Sequence, residues 1–442
     1  MRVVLISTYE LGRQPFGLAS PAAWLRESGA EVTCVDLTRT PLSEDTILSA
    51  DLVAFFLPMH TATRLALPVI DRVRRLNPAA HLAAYGLYAP LNESLLRERG
   101  VQTILGPEFE ADLSALSRSI EPLRTQSNLP RIIFKIPDRS GLPALEQYAR
   151  LRMPDGTMRT VGYTEASRGC KHLCRHCPIV PVYEGRFRAV PADVVLADVR
   201  AQVAAGARHI TFGDPDFFNG VTHGLRIVRE LAREHQGVSY DVTIKIEHLI
   251  DHAAALPELA ATGCAFITSA VESIDDEVLE KLKKGHTRAD FERAVTLCRT
   301  AGTPLVPTFV TFTPWTTRKS YVDLLDEIDR LDLIEHVAPI QLAIRLLITQ
   351  GSPLLDLAEI RAVAGPFNPH TLTQPWRHPD PEVDRLQHEI EMLVGGSVNA
   401  DRSQVFNAVY QLAGTADERG LHRSEPRRAR AAVPYLTEPW YC

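Results

Sequence analysis

Cys170, Cys174 and Cys177 stand in the stretch Ser167-Arg-Gly-Cys-Lys-His-Leu-Cys-Arg-His-Cys-Pro. Their C-x3-C-x2-C spacing bunches three thiolates the way soft-metal sites do, with an iron–sulfur cluster or zinc as the candidates. A closed zinc site or a ferredoxin-type cluster takes four ligands. The other cysteines, Cys34, Cys264, Cys298 and Cys442, lie far along the chain. Three protein ligands on a [4Fe-4S] cluster leave one iron open, and a substrate-like molecule can chelate there. On a helix the same positions would share one apolar face, but Gly169 before the first cysteine and Pro178 after the last favour a loop.

Other polar side chains fall where strands should end. Gly213-Asp-Pro-Asp presents carbonyls and the carboxylates of Asp214 and Asp216, acceptors suited to an ammonium group; the same residues also make ordinary turns and helix caps. Lys245 and Glu247 alternate with Ile244 and Ile246 on an expected third strand, so both point to one face. Charges there either pair with each other or touch a ligand, because burying them alone is costly. Glu272 and Ser273 end the apolar run 266–271, and Arg345 sits on an expected sixth strand, to bind a carboxylate or to pair with an acid.

The elements that must position these groups read as an α/β protein. Over residues 1–120, short apolar runs at 3–7, 32–36, 52–57, 81–85 and, more weakly, 102–105 alternate with amphipathic stretches. That is the pattern of a flavodoxin- or Rossmann-like parallel sheet, whose ligands bind at the carboxyl ends of the strands. The helix expected at 61–76 turns Leu65, Val69, Ile70 and Val73 inward. Residues 121–160, with four prolines, read as a linker. Strands near 162–166, 209–212, 240–246, 264–271, 305–312 and 340–347 then alternate with helices over 161–353. Six βα units make a partial (β/α)6 TIM-type barrel, with chemistry at the carboxyl ends of its strands. Residues 354–442 form a helical tail, one helix capped by Asp380 and a second near 404–412. The basic segment 423–430 reads as a solvated connector.

Composition narrows the function classes. A chain of 442 residues with 45% hydrophobic content suits two or three domains. No apolar run approaches the roughly 18 residues of a membrane span. Seven cysteines, an odd number with three clustered, fit a reducing cytoplasm. A net charge of -6 favours a small-molecule or peptide substrate over nucleic acid.

The cysteine motif and the segments downstream of it resemble the radical S-adenosylmethionine (SAM) superfamily, in particular the subgroup with a cobalamin-binding-like domain ahead of the radical domain. The chain is most similar to a bacterial family with a Cys-Sec-Ala-Glu-Pro or Cys-Cys-Ala-Glu-Pro tail. That likeness runs through Ser7-Thr-Tyr-Glu-Leu-Gly, Pro58-Met-His-Thr-Ala, Thr211-Phe-Gly-Asp-Pro-Asp-Phe, Phe312-Thr-Pro-Trp-Thr-Thr and Leu436-Thr-Glu-Pro-Trp-Tyr-Cys. The resemblance implies a [4Fe-4S] cluster on Cys170, Cys174 and Cys177 whose open iron binds the amino and carboxylate groups of SAM. It further implies that the segment of Gly213, Asp214 and Asp216 meets the SAM amino group, and that Glu272 and Ser273 contact its ribose or methionine part. Lys245, Glu247 and Arg345 complete the expected cofactor contacts, Tyr183 and Phe187 lie near adenine, and Lys283-Lys-Gly-His-Thr makes a structural turn.

A one-electron donor such as flavodoxin or ferredoxin is then a partner, and reductive C–S cleavage yields a carbon radical. Alternatives are cobalamin-dependent methyl transfer, 3-amino-3-carboxypropyl transfer to a soft element such as arsenic, and a non-catalytic Fe–S redox or sensor protein. The loop Tyr9-Glu-Leu-Gly-Arg-Gln-Pro-Phe-Gly offers no histidine to cobalt, so either cobalamin sits without a protein axial ligand or the first domain is a scaffold. Cys442, where the family's tail would begin, is the expected catalytic thiol of a chain cut at a selenocysteine codon; the alternative is an idle terminal thiol.

Overall fold

The structure, a computed structural model, describes residues 1–119, 129, 133–397, 400–414 and 433–437. Its first sheet is parallel throughout, in the order β2-β1-β3-β4-β5, from strands β1 (Arg2–Ser7), β2 (Glu31–Asp36), β3 (Leu52–Phe56), β4 (His81–Tyr85) and β5 (Thr103–Leu105). This is the flavodoxin-like order. The central strands are apolar runs because helices cover both faces: Val3, Val4, Leu5 and Ile6 are all at most 2% exposed. The helix His60–Leu76 buries Ala62, Ala66, Leu67, Ile70 and Val73. Leu65, expected to face inward, is 48% exposed instead. The inward stripe is set by the small Ala62 and Ala66, one turn apart, which let the helix lie close to the sheet and leave Leu65 on the outer side.

The second sheet runs β13-β12-β11-β10-β7-β6-β14. Strands β7 (Met158–Thr164), β10 (His209–Phe212), β11 (Ser239–Thr243), β12 (Cys264–Glu272) and β13 (Leu305–Phe309) are parallel. β6 (Arg150–Arg152) and β14 (Tyr435–Leu436) extend the sheet antiparallel beyond β7, so part of the stretch that reads as linker is paired strand. The result is the half-barrel that the sequence pattern predicts, with a difference at its sixth position. The sixth strand expected at 340–347 is a 3-10 turn, Pro339–Leu342, followed by a single parallel bridge between Phe312 and Arg345. Pro339 lacks an N–H for a ladder, and the Gln341 side chain accepts the Phe309 N–H at 2.9 Å in place of a backbone partner.

The helices Pro381–Gly396 and Arg402–Ala413 bury Val383, Leu386, Ile390, Val405, Phe406 and Val409 in the core of this half-barrel. Leu372 enters the core of the first sheet, and the neighbouring Thr371 carbonyl lies 2.5 Å from His60 Nε2. The two sheets are therefore joined by packing as well as by the chain. Among the described residues, no helix is long and apolar enough to cross a membrane.

Candidate metal centre

Beyond β7 the chain forms β8 (Ser167–Gly169), which pairs antiparallel with β9 (Phe187–Ala189), and the loop between them carries all three cysteines. Gly169 is required at its start: φ is +75°, and a Cβ would lie 2.4 Å from the Arg186 carbonyl oxygen. Asp214, in the turn after β10, braces the same strand. Its Oδ2 accepts the Ala166 N–H at 2.9 Å and its Oδ1 accepts the Ser167 hydroxyl at 2.5 Å. On the far side Arg175 donates from its backbone N–H to Leu282 O (2.9 Å) and from Nη1 to Lys281 O (2.7 Å). Gly213 keeps its neighbour close, since a Cβ there would lie 1.8 Å from Tyr163 Oη.

The three thiols are in no disulfide. Burial pushes the Cys170 thiol up and that of Cys177 up to about 12. A bound metal supplies the charge that turns such buried thiols into thiolates. Three free sulfurs on one braced loop fit a [4Fe-4S] cluster with one iron left open, as the donor chemistry predicts.

Two polar groups flank this loop. His172 turns toward the half-barrel, with Nε2 3.4 Å from Asp216 Oδ2 and Nδ1 3.5 Å from Glu247 Oε2. His248 Nδ1 approaches Asp216 Oδ2 at 2.7 Å. Burial pushes the Asp216 carboxyl up, but the imidazoles of His172 and His248 outweigh it and hold the acid below its ordinary range. On the other flank, His176 Nε2 lies 3.0 Å and Lys284 Nζ 3.3 Å from Glu272 Oε1. Burial opposes ionisation of Glu272 too, and again loses: Lys284 and His176 bring the carboxyl down to about 2. Glu272 has φ +71°, a costly backbone for a residue with a side chain, at the point where the β12–β13 register shifts.

Of the residues singled out in sequence, Asp216, Lys245, Glu247 and Glu272 gather around the cysteine loop. Lys245 and Glu247 are not on a strand, however. β11 ends at Thr243, and Lys245 is the N-cap residue of the helix Ile246–Asp251, where its Nζ pairs with Glu247 Oε2 at 3.1 Å. Ser273 accepts the Asp275 N–H and lines a cavity of about 220 Å³ with Glu272, Asp275, Arg288, Thr311 and Thr313. Arg345 is committed elsewhere: it donates to Asp384 Oδ1 and to the Trp376 carbonyl, both at 2.8 Å, and stacks on the Trp376 ring. Phe187 packs under Lys171, and Tyr183 donates to Glu108. Cys442 lies outside the described residues. Sequence reasoning passed over His172, His176, His248 and Lys284. Two of these, His172 and His176, sit inside the cysteine motif itself, where their place among the thiols was the available signal; Lys284, 2% exposed, was hidden in a segment that reads as a turn.

Residues 164–328 match the profile of the Radical SAM superfamily. The span holds the cysteine loop and the carboxyl ends of β10, β11, β12 and β13, and the chain thus carries a radical SAM domain. Among curated proteins it is similar to tRNA-2-methylthio-N(6)-dimethylallyladenosine synthase of Pseudomonas aeruginosa (strain UCBPP-PA14), 28% identical over 240 residues, or 50% of either chain. The corresponding enzyme of Desulfosudis oleivorans is 28% identical over 196 residues, covering 42% of this chain and 41% of that one. The chain spans about half the length of the curated relatives it matches. Among solved structures, the cobalamin-dependent SAM radical enzyme OxsB with aqua-cobalamin bound superposes with a TM-score of 0.71 at 15% identity, over 90% of this chain and 67% of that one. The radical SAM methyltransferase TsrM from Kitasatospora setae, with tryptophan and a SAM analog bound, gives 0.61 at 19% identity, over 75% and 71%. These two likenesses define the fold: a flavodoxin-like sheet joined to a radical SAM half-barrel.

Proposed function

We propose that this protein is a radical SAM enzyme that cleaves SAM reductively to generate a carbon radical on a small-molecule or peptide substrate. The observation that carries this reading is the braced loop of three free cysteines at the carboxyl rim of the half-barrel. Cys170, Cys174 and Cys177 would hold a [4Fe-4S] cluster with one open iron, which would supply the electron for reductive C–S cleavage of SAM. The protein's own residues bind and orient. The backbone at Gly213 and the Asp216 carboxylate would meet the SAM amino group, with Asp214 bracing the loop; Glu272 and Ser273 would take the ribose or methionine part; the buried ammonium of Lys284 pairs with Glu272 and that of Lys245 with Glu247.

An external one-electron donor of the flavodoxin or ferredoxin type completes the system, and a net charge of -6 supports a substrate other than nucleic acid. Within the superfamily, the motif likeness supports the family with the Cys-Sec-Ala-Glu-Pro or Cys-Cys-Ala-Glu-Pro tail. Cys442 would then act on an intermediate, and Cys442→Ser should abolish product formation while leaving SAM cleavage intact.

Cobalamin-dependent methyl transfer is the second reading, favoured by the likeness to OxsB and TsrM. A corrin needs an open face at the carboxyl edge of the first sheet. In this structure the part of that edge beyond β1 and β5 is closed by side chains: Glu10, Leu11, Gln14, Phe16, Glu108, Phe109 and Glu110 are each at most 8% exposed, while Pro58, Met59, His60 and Thr61 beyond β3 are half-buried. Phe16 packs edge-on against Tyr163, and Arg139 donates to Gln14 Oε1 at 2.9 Å. The side chains packed beyond β1 and β5 take the space a corrin would need there, which supports direct radical chemistry or 3-amino-3-carboxypropyl transfer.

The test is anaerobic incubation of reconstituted protein with dithionite and SAM. Formation of 5′-deoxyadenosine, or of a product carrying the aminocarboxypropyl group, is expected. Intact SAM beside a spectroscopically verified [4Fe-4S] cluster would leave a redox or sensor protein instead.

A further inference from the structure

Arg168 stands two residues before Cys170 and is 8% exposed. Its Nη2 lies 2.6 Å from Glu110 Oε1, its Nε 2.8 Å from Glu165 Oε2 and its Nη1 3.7 Å from Glu108 Oε2. Glu108 and Glu110 belong to the first sheet's side, at the start of the helix Glu110–Leu116 that comes after β5. Ser20 donates to Glu110 Oε1 at 2.7 Å, and the rings of Phe16, Phe109 and Phe134 surround the guanidinium. The other end of the cysteine loop reaches the same acid: Tyr183, six residues beyond Cys177, donates its hydroxyl to Glu108 Oε1 at 3.0 Å. The Tyr183 ring fills the space over Gly169, where a Cβ would come within 2.4 Å of it.

We infer that Glu108 and Glu110 are positioning residues by which the first sheet clamps both ends of the cluster loop. The contact occupies part of the edge where related folds seat a ligand, and on this inference the clamp takes the corrin's place. The inference rests on the radical SAM reading above. Its physical basis is that the buried guanidinium of Arg168 is held by Glu110 and Glu165 while Glu108 holds Tyr183, so that removing the guanidinium would leave buried carboxylates without their cation. Both ends of the loop thereby inherit the rigidity of these contacts. Groups that hold a metal's ligands in place commonly change its affinity by roughly ten- to a hundredfold.

The experiment uses full-length protein carrying its reconstituted cluster, with Glu108→Gln and Tyr183→Phe as the mild variants and the pair Arg168→Met and Arg168→Lys alongside. Iron loss to a chelator and the EPR spectrum of the reduced cluster are read together with far-UV circular dichroism. We expect Glu108→Gln and Tyr183→Phe to stay folded, to bind iron, to lose it roughly tenfold faster and to show an altered EPR signal, with Arg168→Lys retaining more iron than Arg168→Met. Unchanged iron loss and EPR in both mild variants would overturn the clamp. Wild-type protein that binds no iron at all would instead overturn the radical SAM reading. In a parallel arm, protein from cells supplied with hydroxocobalamin should show no corrin absorption; near-stoichiometric corrin would overturn the corrin-free assignment.

Discussion

Replacing Glu272 with Gln removes the charge that holds Lys284 and His176 on one flank of the cluster loop. Glu272 is 7% exposed and Lys284 2%, so solvent screens their interaction little. The carboxyl is brought from 4.5 to about 2, and each tenfold in proton affinity is worth roughly 1.4 kcal/mol. The ionised form therefore contributes roughly 3 kcal/mol to stability. The folded-state pKa is depressed, so this contribution is present above pH 4.5 and is lost as the pH falls toward 2. Glu272→Gln also leaves the Lys284 ammonium buried without a charged partner, and breaking such a pair costs roughly 3–5 kcal/mol. The assay is denaturant unfolding of the cluster-free protein, following the transition of the half-barrel. Glu272→Gln should lower its midpoint near neutral pH, and the difference should shrink as the pH falls below the ordinary carboxyl pKa. Adding Lys284→Met should recover part of the loss, because the stranded charge is then gone. If the single variant unfolds with the wild type, or the double is no better than the worse single, the pairing does not have the role derived for it.

The triple variant Cys170→Ala, Cys174→Ala, Cys177→Ala should lose iron, sulfide and brown colour together, as metal analysis and absorption would show; retention of iron by this variant would place the cluster elsewhere. Gly213→Ala drives a methyl group into Tyr163 Oη, and should destabilise the half-barrel by roughly 1–3 kcal/mol through overpacking, read as a lower melting temperature. Arg345→Ala should cost stability by a similar amount, roughly 1–3 kcal/mol for the lost charge-assisted hydrogen bonds, while leaving the affinity for SAM unchanged in equilibrium binding. A large loss of SAM affinity would return Arg345 to the cofactor.

The grouping of the cysteines on one loop was legible because it is a local property: the stretch from Cys170 to Cys177 carries all three thiols, and the flanking Gly169 and Pro178 mark the loop. The strand rhythm of both sheets was legible for a similar reason, since a strand buried on both faces must be a short apolar run wherever it occurs. The ends of these strands were less so. β11 stops at Thr243, and Lys245 and Glu247 fall on a helix start, because an alternation of two charged and two apolar residues suits either element.

The sequence by itself determined the fold class, the three-cysteine motif and the placement of that motif after the first half-barrel strand. Tertiary structure alone decided the partners of the charges. Arg168 meets Glu110 across 58 positions, its own number less the acid's, at 2.6 Å, and Arg345 meets Asp384 across 39. Periodicity carries no information about such pairings, because electrostatic partners are set by which surfaces pack and not by local spacing. The same holds for the sixth barrel position, where an apolar run that reads as strand becomes a turn once Gln341 supplies the hydrogen bond its backbone would have made.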